Sequence, residues 1–327
     1  MTGSIILQTA GLTKTFVTGR GKAQKTVEAV KGVDLEVRKG EIFGFLGPNG
    51  AGKSTTLKML TTLLAPSSGK ATIVGHDLLK DPQKVRENIG YVSQAGGTDT
   101  YSNAIENLVL QARLYGLSPA QAAKSAADLT QRFQMMEFAS RAAKTYSGGQ
   151  KRRLDLALGI VHNPTIVFLD EPTTGLDPQS RAYFWEEIVR LKNEGMTIFL
   201  TTHYLEEADN LCDRVAIIDH GTIVAVDTTE ALKKQTGGEC ITVGFNHEAQ
   251  AEQALALLGE RDFIQKTILQ EFKLHLYVQD GGALIAEVLR ILDREGIAIQ
   301  TIAMSRPSLD DVFLQQTGRS LREDGKE

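Results

Sequence analysis

Apolar positions along the chain fall into two registers, short β-branched runs and longer stretches at helical spacing, and their order divides the chain. In the first forty residues, apolar runs at 5–7, 27–30 and 33–37 alternate with turn signals, which predicts antiparallel strands. A loop rich in Gly, Lys and Arg between 18 and 26 predicts a solvated hairpin tip. Residues 41–46 (Glu-Ile-Phe-Gly-Phe-Leu) predict a short buried strand that runs at once into glycines and then into a helix over 55–64. A strand follows at 89–93. From 103 to 143 the spacing turns helical, with Leu108, Leu110 and Leu114, then Ala126, Leu129 and Phe133, and Ser118-Pro119 opens the second helix. The β-branched runs at 166–169, 197–200 and 215–218 are separated by helices, the pattern of a parallel sheet covered on both faces.

A polar, glycine-bearing stretch at 233–238 reads as a linker, and beyond it the elements start over. Strands are expected at 240–245, 273–278 and 297–304, with helices at 248–258, 283–295 and 309–315. The expectation is a compact α+β accessory domain of ferredoxin-like kind over 239–318, after a larger α/β domain over 1–235 whose helical part lies at about 98–160. Residues 319–327 are charged and are expected to form a flexible tail.

Length agrees with two domains, since 327 residues exceed what one hydrophobic core usually serves. With 42% apolar and 23% charged residues, the composition is that of a globular protein. A net charge of −4 gives no reason to expect a surface built for nucleic acid, so any phosphate chemistry must be local. The most apolar stretch, 154–169, is interrupted by Asp155, His162, Asn163 and Pro164, so no membrane span is expected. Met1-Thr2-Gly3-Ser4-Ile5 has neither a charged nor an apolar leader region, which points to a cytoplasmic address. Cys212 and Cys240 are too few for a disulfide framework.

Local phosphate chemistry is present. Gly47-Pro48-Asn49-Gly50-Ala51-Gly52-Lys53-Ser54 fits G-x-x-x-x-G-K-[ST] between a predicted strand and a predicted helix, which is the context a P-loop requires. The glycines allow backbone N–H groups to wrap phosphate oxygens, and the helix start adds its partial positive charge, with Thr55 in its first turn. Lys53 would neutralise the β and γ phosphates, and the Ser54 hydroxyl would meet Mg²⁺. The run 166–171 is an apolar strand ending in Asp170-Glu171, on the carboxyl edge where α/β sheets bind ligands. Asp170 is a candidate for holding Mg²⁺ through water, and Glu171 for orienting the attacking water.

Between these motifs stands Tyr146-Ser147-Gly148-Gly149-Gln150, which resembles the signature of ABC-type ATPases, with Tyr where Leu is usual. Ser147, Gly148 and Gly149 place a hydroxyl and bare amides at a helix start, a second anion site. The resemblance, over about residues 5–232, implies a P-loop ATPase fold with an antiparallel β subdomain and a helical subdomain. It implies two ATP molecules sandwiched in a head-to-tail dimer, each between the P-loop of one copy and the signature, including Gln150, of the other. It further implies that Gln94 touches Mg²⁺ and links to the helical subdomain, that Asp177 crosses to the partner, that His203 contacts the γ-phosphate and that Phe16 stacks on adenine. The segment 307–314 (Pro-Ser-Leu-Asp-Asp-Val-Phe-Leu) resembles the C-terminal part of drug-exporter ATPases of the daunorubicin-resistance type. That points to ATP-driven export through separate membrane subunits, with the ATPase on the cytoplasmic face of the membrane. The alternative is an ABC ATPase acting on ribosomes or nucleic acid. Such proteins usually carry two ATPase units or a long coiled coil, and this chain has one P-loop and no sustained heptads.

Overall fold

The computed structural model describes residues 4–19, 25–259, 261–318 and 320. Residues 20–24 of the expected hairpin tip, and all but one residue of the expected tail, lie outside them. The chain divides into two compact units, Met1–Ile223 and Val224–Glu327.

The first unit opens with β1 (Ile5–Thr18) and β2 (Lys25–Arg38), paired antiparallel along their length. Of the three apolar runs that sequence reading separates by turn signals, 27–30 and 33–37 lie on one continuous strand, β2. Gly11 and Gly32 do adopt positive φ, 57° and 90°, but inside continuous strands near shifts of register, so they are bulges and not turns. Then come β3 (Ile42–Leu46), α1 (Lys53–Leu60), β4 (Ser68–Ile73), β5 (His76–Asp77), α2 (Pro82–Asn88) and β6 (Ile89–Val92). The helical segment is α3 (Ala104–Leu114), α4 (Pro119–Arg132) and α5 (Gly148–Ile160). Capping boxes Asn103/Glu106 and Ser118/Gln121 open α3 and α4, the second with Pro119 in its first turn as expected. The unit continues through β7 (Ile166–Asp170), α6 (Pro178–Asn193), β8 (Thr197–Thr202), α7 (Leu205–Leu211) and β9 (Arg214–Asp219).

Two sheets result. One is antiparallel, in the order β2-β1-β4-β5. The other runs β9-β3-β8-β7-β6 with parallel pairing throughout. Every residue of β3, β7 and β8 is buried, which is why these strands read as unbroken apolar runs. Phe43, Phe45 and Phe168 all lie 5.5–5.7 Å, ring centre to ring centre, from Phe199. Such contacts contribute about 0.5–1.5 kcal/mol each beyond their buried area, and they stiffen the three strands whose ends carry the site.

The chain passes from one unit to the other along β10 (Thr222–Thr228). The second unit then holds α8 (Thr229–Lys234), β11 (Glu239–Gly244), α9 (Glu248–Leu258), β12 (Ile264–Gln270), β13 (Lys273–Val278), α10 (Gly281–Arg294), β14 (Thr301–Ser305) and α11 (Leu309–Thr317). Its sheet order, β12-β13-β11-β14, all antiparallel, is the split βαβ arrangement of the ferredoxin-like fold that sequence reading expected. Strand β12 was not foreseen, and the last strand starts four residues later than expected, because 297–300 carry no regular structure. Alternation explains the two faces of the sheet. Ile241, Val243, Leu274, Leu276 and Val278 form one core with Ala251, Leu258, Val288 and Leu292 of α9 and α10. On β13 the intervening Tyr277 is fully buried and donates to Asp311 of α11 at 3.2 Å. The same carboxylate accepts from Ser308 N at 2.9 Å, so it caps its own helix and anchors it to the sheet at once. Leu309, Val312 and Phe313 are buried, as their spacing predicts.

Both cysteines are free and buried. Cys212 Sγ sits 2.6 Å from where a β-carbon on Gly44 would stand, so only glycine fits there, and burial pushes its thiol pKa well up. Burial also pushes the Cys240 thiol up, to about 12.

Candidate functional site: a P-loop cavity closed by a glutamate

The P-loop joins the end of β3 to α1. Gly50 and Gly52 hold φ of 78° and 104°, a left-handed backbone that favours glycine. A β-carbon at Gly47 would stand 2.3 Å from Ile218 O, and one at Gly52 2.5 Å from Ala29 O, so the loop is pressed against its surroundings. The helix begins at Lys53, two residues before the expected start, because Gly52 serves as its N-cap. Lys53 Nζ donates to Gly47 O at 2.7 Å and Pro48 O at 2.9 Å, folding back across the loop. A cavity of about 400 Å³ opens here, lined by Asn49, Gly50, Gly52, Lys53, Ser54 and Thr55, with Gln94 and Glu171 on its far side.

Asp170 and Glu171 follow directly on β7. Asp170 Oδ1 accepts from Ser54 Oγ at 3.0 Å and from Thr201 Oγ1 at 2.7 Å. Glu171 is 8% exposed and meets three residues that sequence reading named. Lys53 Nζ lies 3.4 Å from its Oε1, His203 Nδ1 lies 3.2 Å from its Oε2, and Gln94 Nε2 donates to Oε2 at 3.2 Å. Burial would raise the carboxyl pKa, but the contact with His203 and the charge of Lys53 outweigh it and hold the group below its ordinary value. Burial lowers the Lys53 ammonium in turn, with Glu171 and Asp170 opposing the shift. Glu171 also has a φ of 44°, in the left-handed region. Such a residue costs about 1–3 kcal/mol and persists only where its surroundings hold it. Its amide donates to both Thr201 O and Thr201 Oγ1, each at 3.1 Å.

The cavity therefore gathers the P-loop, Gln94 and Glu171, with Asp170 beside Ser54 and His203 against Glu171. It does not gather the remaining candidates. Phe16 is 37% exposed on β1 with Lys14 Nζ 5.3 Å from its ring centre, and it is not among the residues lining the cavity. Ser147 caps α5 by accepting from Gln150 N at 3.3 Å, while Gln150 Oε1 accepts from Ser147 N at 3.1 Å. That box leaves the Gly148 and Gly149 amides as the unpaired donors of the first turn. Asp177 caps α6 through Ser180 N at 2.9 Å, and Ser180 Oγ stands 2.5 Å from where a β-carbon of Gly149 would be. Signature turn and Asp177 thus adjoin each other, away from the cavity.

Sequence reading missed Thr201, which bonds both acids, and Arg152, whose guanidinium donates to the backbone beside them. Thr201 carries a faint signal as a polar residue at the end of an apolar strand. Arg152 carries none before its partners are known.

The residues fit a nucleotide with a divalent cation. Two glycine-led helix starts offer amides, a buried ammonium faces the cavity, and a hydroxyl and a carboxylate meet at its edge. Comparison with known proteins agrees. Residues 30–174 match the family described as ABC transporter, and residues 228–317 match the family described as ATP-binding protein DrrA1-3-like, C-terminal domain. The chain is 40% identical over 306 residues to the daunorubicin resistance ATP-binding protein DrrA3 of Streptomyces coeruleorubidus, covering 94% of this chain and 96% of that one. It is 36% identical over 303 residues to the linearmycin resistance ATP-binding protein LnrL of Bacillus subtilis, covering 92% and 96%. Among solved structures, a dimeric ATP-binding cassette in a post-hydrolysis state with ADP and phosphate superposes with a TM-score of 0.61 at 26% identity, covering 68% of this chain and 98% of that one. The chain belongs to the ATP-binding, ATP-hydrolysing subunits of ABC transporters, in the branch of the daunorubicin-resistance ATP-binding proteins.

Proposed function

We propose that this protein hydrolyses ATP to drive export of a small, drug-like compound through separately encoded membrane subunits, working as a homodimer on the cytoplasmic face of the membrane. Lys53 and the P-loop amides hold the phosphates in one copy, and Ser147 with the Gly148 and Gly149 amides closes over them from the other. Asp177 meets the partner beside that closure, and Phe16 stacks on the adenine. Glu171 orients the attacking water, with His203 and Gln94 keeping its carboxylate aimed at the cavity. When bound, Mg²⁺ neutralises charge on the phosphates, and Ser54, Asp170 and Gln94 are the residues that would hold it. The ATPase domain takes residues 1–235 and the accessory domain 239–318.

One observation carries the reading: the buried Glu171 carboxylate, kept ionised at the far side of a P-loop cavity by Lys53 and His203. The two relatives described above are named for resistance to two different compounds, daunorubicin and linearmycin, which supports export and leaves the ribosomal alternative without support. No helix of the described residues is long and apolar enough to cross a membrane, which agrees with separate membrane subunits. In Glu171→Gln, steady-state hydrolysis should fall by about 10²–10⁴-fold while ATP still binds, and ATP-loaded dimer should accumulate on gel filtration. Parental turnover in that variant would sink the assignment.

A further inference from the structure

Arg152, Asp155 and Gly159 follow one another at helical spacing along one face of α5, the helix that begins with the Ser-Gly-Gly turn. Arg152 is 6% exposed and Asp155 5%, the second among the buried apolar residues Leu154, Leu156 and Ala157. The Arg152 guanidinium donates from Nη1 to Ser93 O at 2.8 Å, from Nε to Pro172 O, and from Nη2 toward Asp170 O at 3.5 Å. Those carbonyls belong to the residue before Gln94 and to the residues on either side of Glu171. Asp155 Oδ1 accepts from Gly97 N at 3.0 Å and from Thr98 Oγ1 at 2.7 Å. A β-carbon on Gly96 would stand 2.6 Å from Asp155 Oδ2, so the loop after Gln94 is pressed onto this carboxylate. One turn further, a β-carbon on Gly90 would meet Gly159 O at 2.1 Å, which places helix and strand β6 in backbone contact.

We infer that Arg152 is a positioning residue for hydrolysis, holding the backbone of Gln94 and of Glu171 at a fixed separation, with Asp155 anchoring the loop after Gln94 to the same helix. This rests on the role of Glu171 proposed above. A buried guanidinium must find acceptors, and many places would satisfy that need. Here its three acceptors bracket the two side chains that meet at 3.2 Å in the cavity, and one of them, Glu171, has a φ of 44° that its neighbours must hold. Because α5 starts at the signature turn, a copy closing on Ser147 presses on a helix whose second turn sets the aim of Glu171.

The test compares Arg152→Met, Arg152→Lys and Glu171→Gln in the full-length chain, by steady-state MgATP hydrolysis and equilibrium MgATP binding. Arg152→Met should lower kcat by about 30–100-fold, the scale of a misplacement near 1 Å, with KM and affinity within about threefold of the parent. Arg152→Lys keeps the charge but loses the planar fork, and should lower kcat by about 5–10-fold. If Arg152→Met does not fold, the lysine variant decides alone. Parental kcat in the Arg152 variants beside an inactive Glu171→Gln overturns the inference, as does a loss confined to KM or ATP affinity. An active Glu171→Gln removes the role of Glu171 and this inference with it.

Discussion

Two helix starts in this protein, α1 after the P-loop and α5 after the signature tyrosine, are both built from glycines and a hydroxyl residue, yet they stand in different surroundings. At α1 the chain supplies everything around the phosphate position: the Lys53 ammonium, Asp170, Glu171 and Gln94, from three separate segments. At α5 the chain supplies a capping box and stops, and Asp177 close by is engaged with its own helix. The first start is a site already complete on one side. In the proposed dimer the second is the complementary half, which closes on phosphates held by the other copy.

That contrast can be broken most forcefully at the second half. Gly149→Val brings side-chain bulk to within reach of Ser180 Oγ, 2.5 Å from the β-carbon position, and should lower turnover by at least about 100-fold. Binding of ATP to the isolated chain should stay at the parental level, and a parallel loss of binding would show that the two halves are not separate. Lys53→Ala attacks the first half and should do the reverse. Losing a charge-assisted contact of about 1.5–3 kcal/mol should weaken ATP affinity by about 10–100-fold in titration calorimetry.

A smaller effect tests whether the helical segment is held to the core by a neutral histidine. His162 stacks on Tyr115 with ring centres 3.5 Å apart, and its Nε2 lies 2.9 Å from Ile89 O. Burial lowers its pKa to about 4. Since the folded value lies below the unfolded one, the unfolded chain takes up the proton first as pH falls. This contribution is complete above about pH 6.5 and is lost between there and pH 4, on the order of 1–3 kcal/mol. His162→Phe keeps the stack and removes the titration, so its urea midpoint should fall less than the parent's over that window. The mildest change is Phe16→Ala, where losing one stacking contact of about 0.5–1.5 kcal/mol should raise KM for ATP by about 2–12-fold with kcat unchanged. An unaltered KM would take Phe16 out of the site.

How far these residues could be read from sequence follows from the distance over which each acts. The P-loop, the Asp-Glu pair and the signature are contiguous, and the backbone geometry they need demands glycine or a capping residue at fixed offsets, so spacing alone reveals them. The same holds for Ser308, whose capping box lies within four residues. Arg152, Asp155 and Thr201 work across 18 to 59 positions of sequence, and in a linear reading Asp155 does no more than interrupt an apolar run. Gly11 and Gly32 stand inside continuous strands for a related reason. A glycine marks a backbone that needs freedom, but only the partner strand decides whether that freedom becomes a turn or a bulge. Strand β12 escaped notice because its residues are half-buried at most, so it lacks the strict alternation that marked β13.

The seating of Cys212 behind Gly44, together with the closed environment of Cys240, has a practical consequence for following this protein at work. Neither sulfur is accessible, and both resist forming the thiolate that maleimides and iodoacetamides attack. A cysteine introduced at an exposed position such as 179, two residues past Asp177, would therefore be the one to take a fluorophore, without first stripping the native sulfurs from the chain. The approach of two copies around ATP could then be watched by quenching in otherwise unaltered protein.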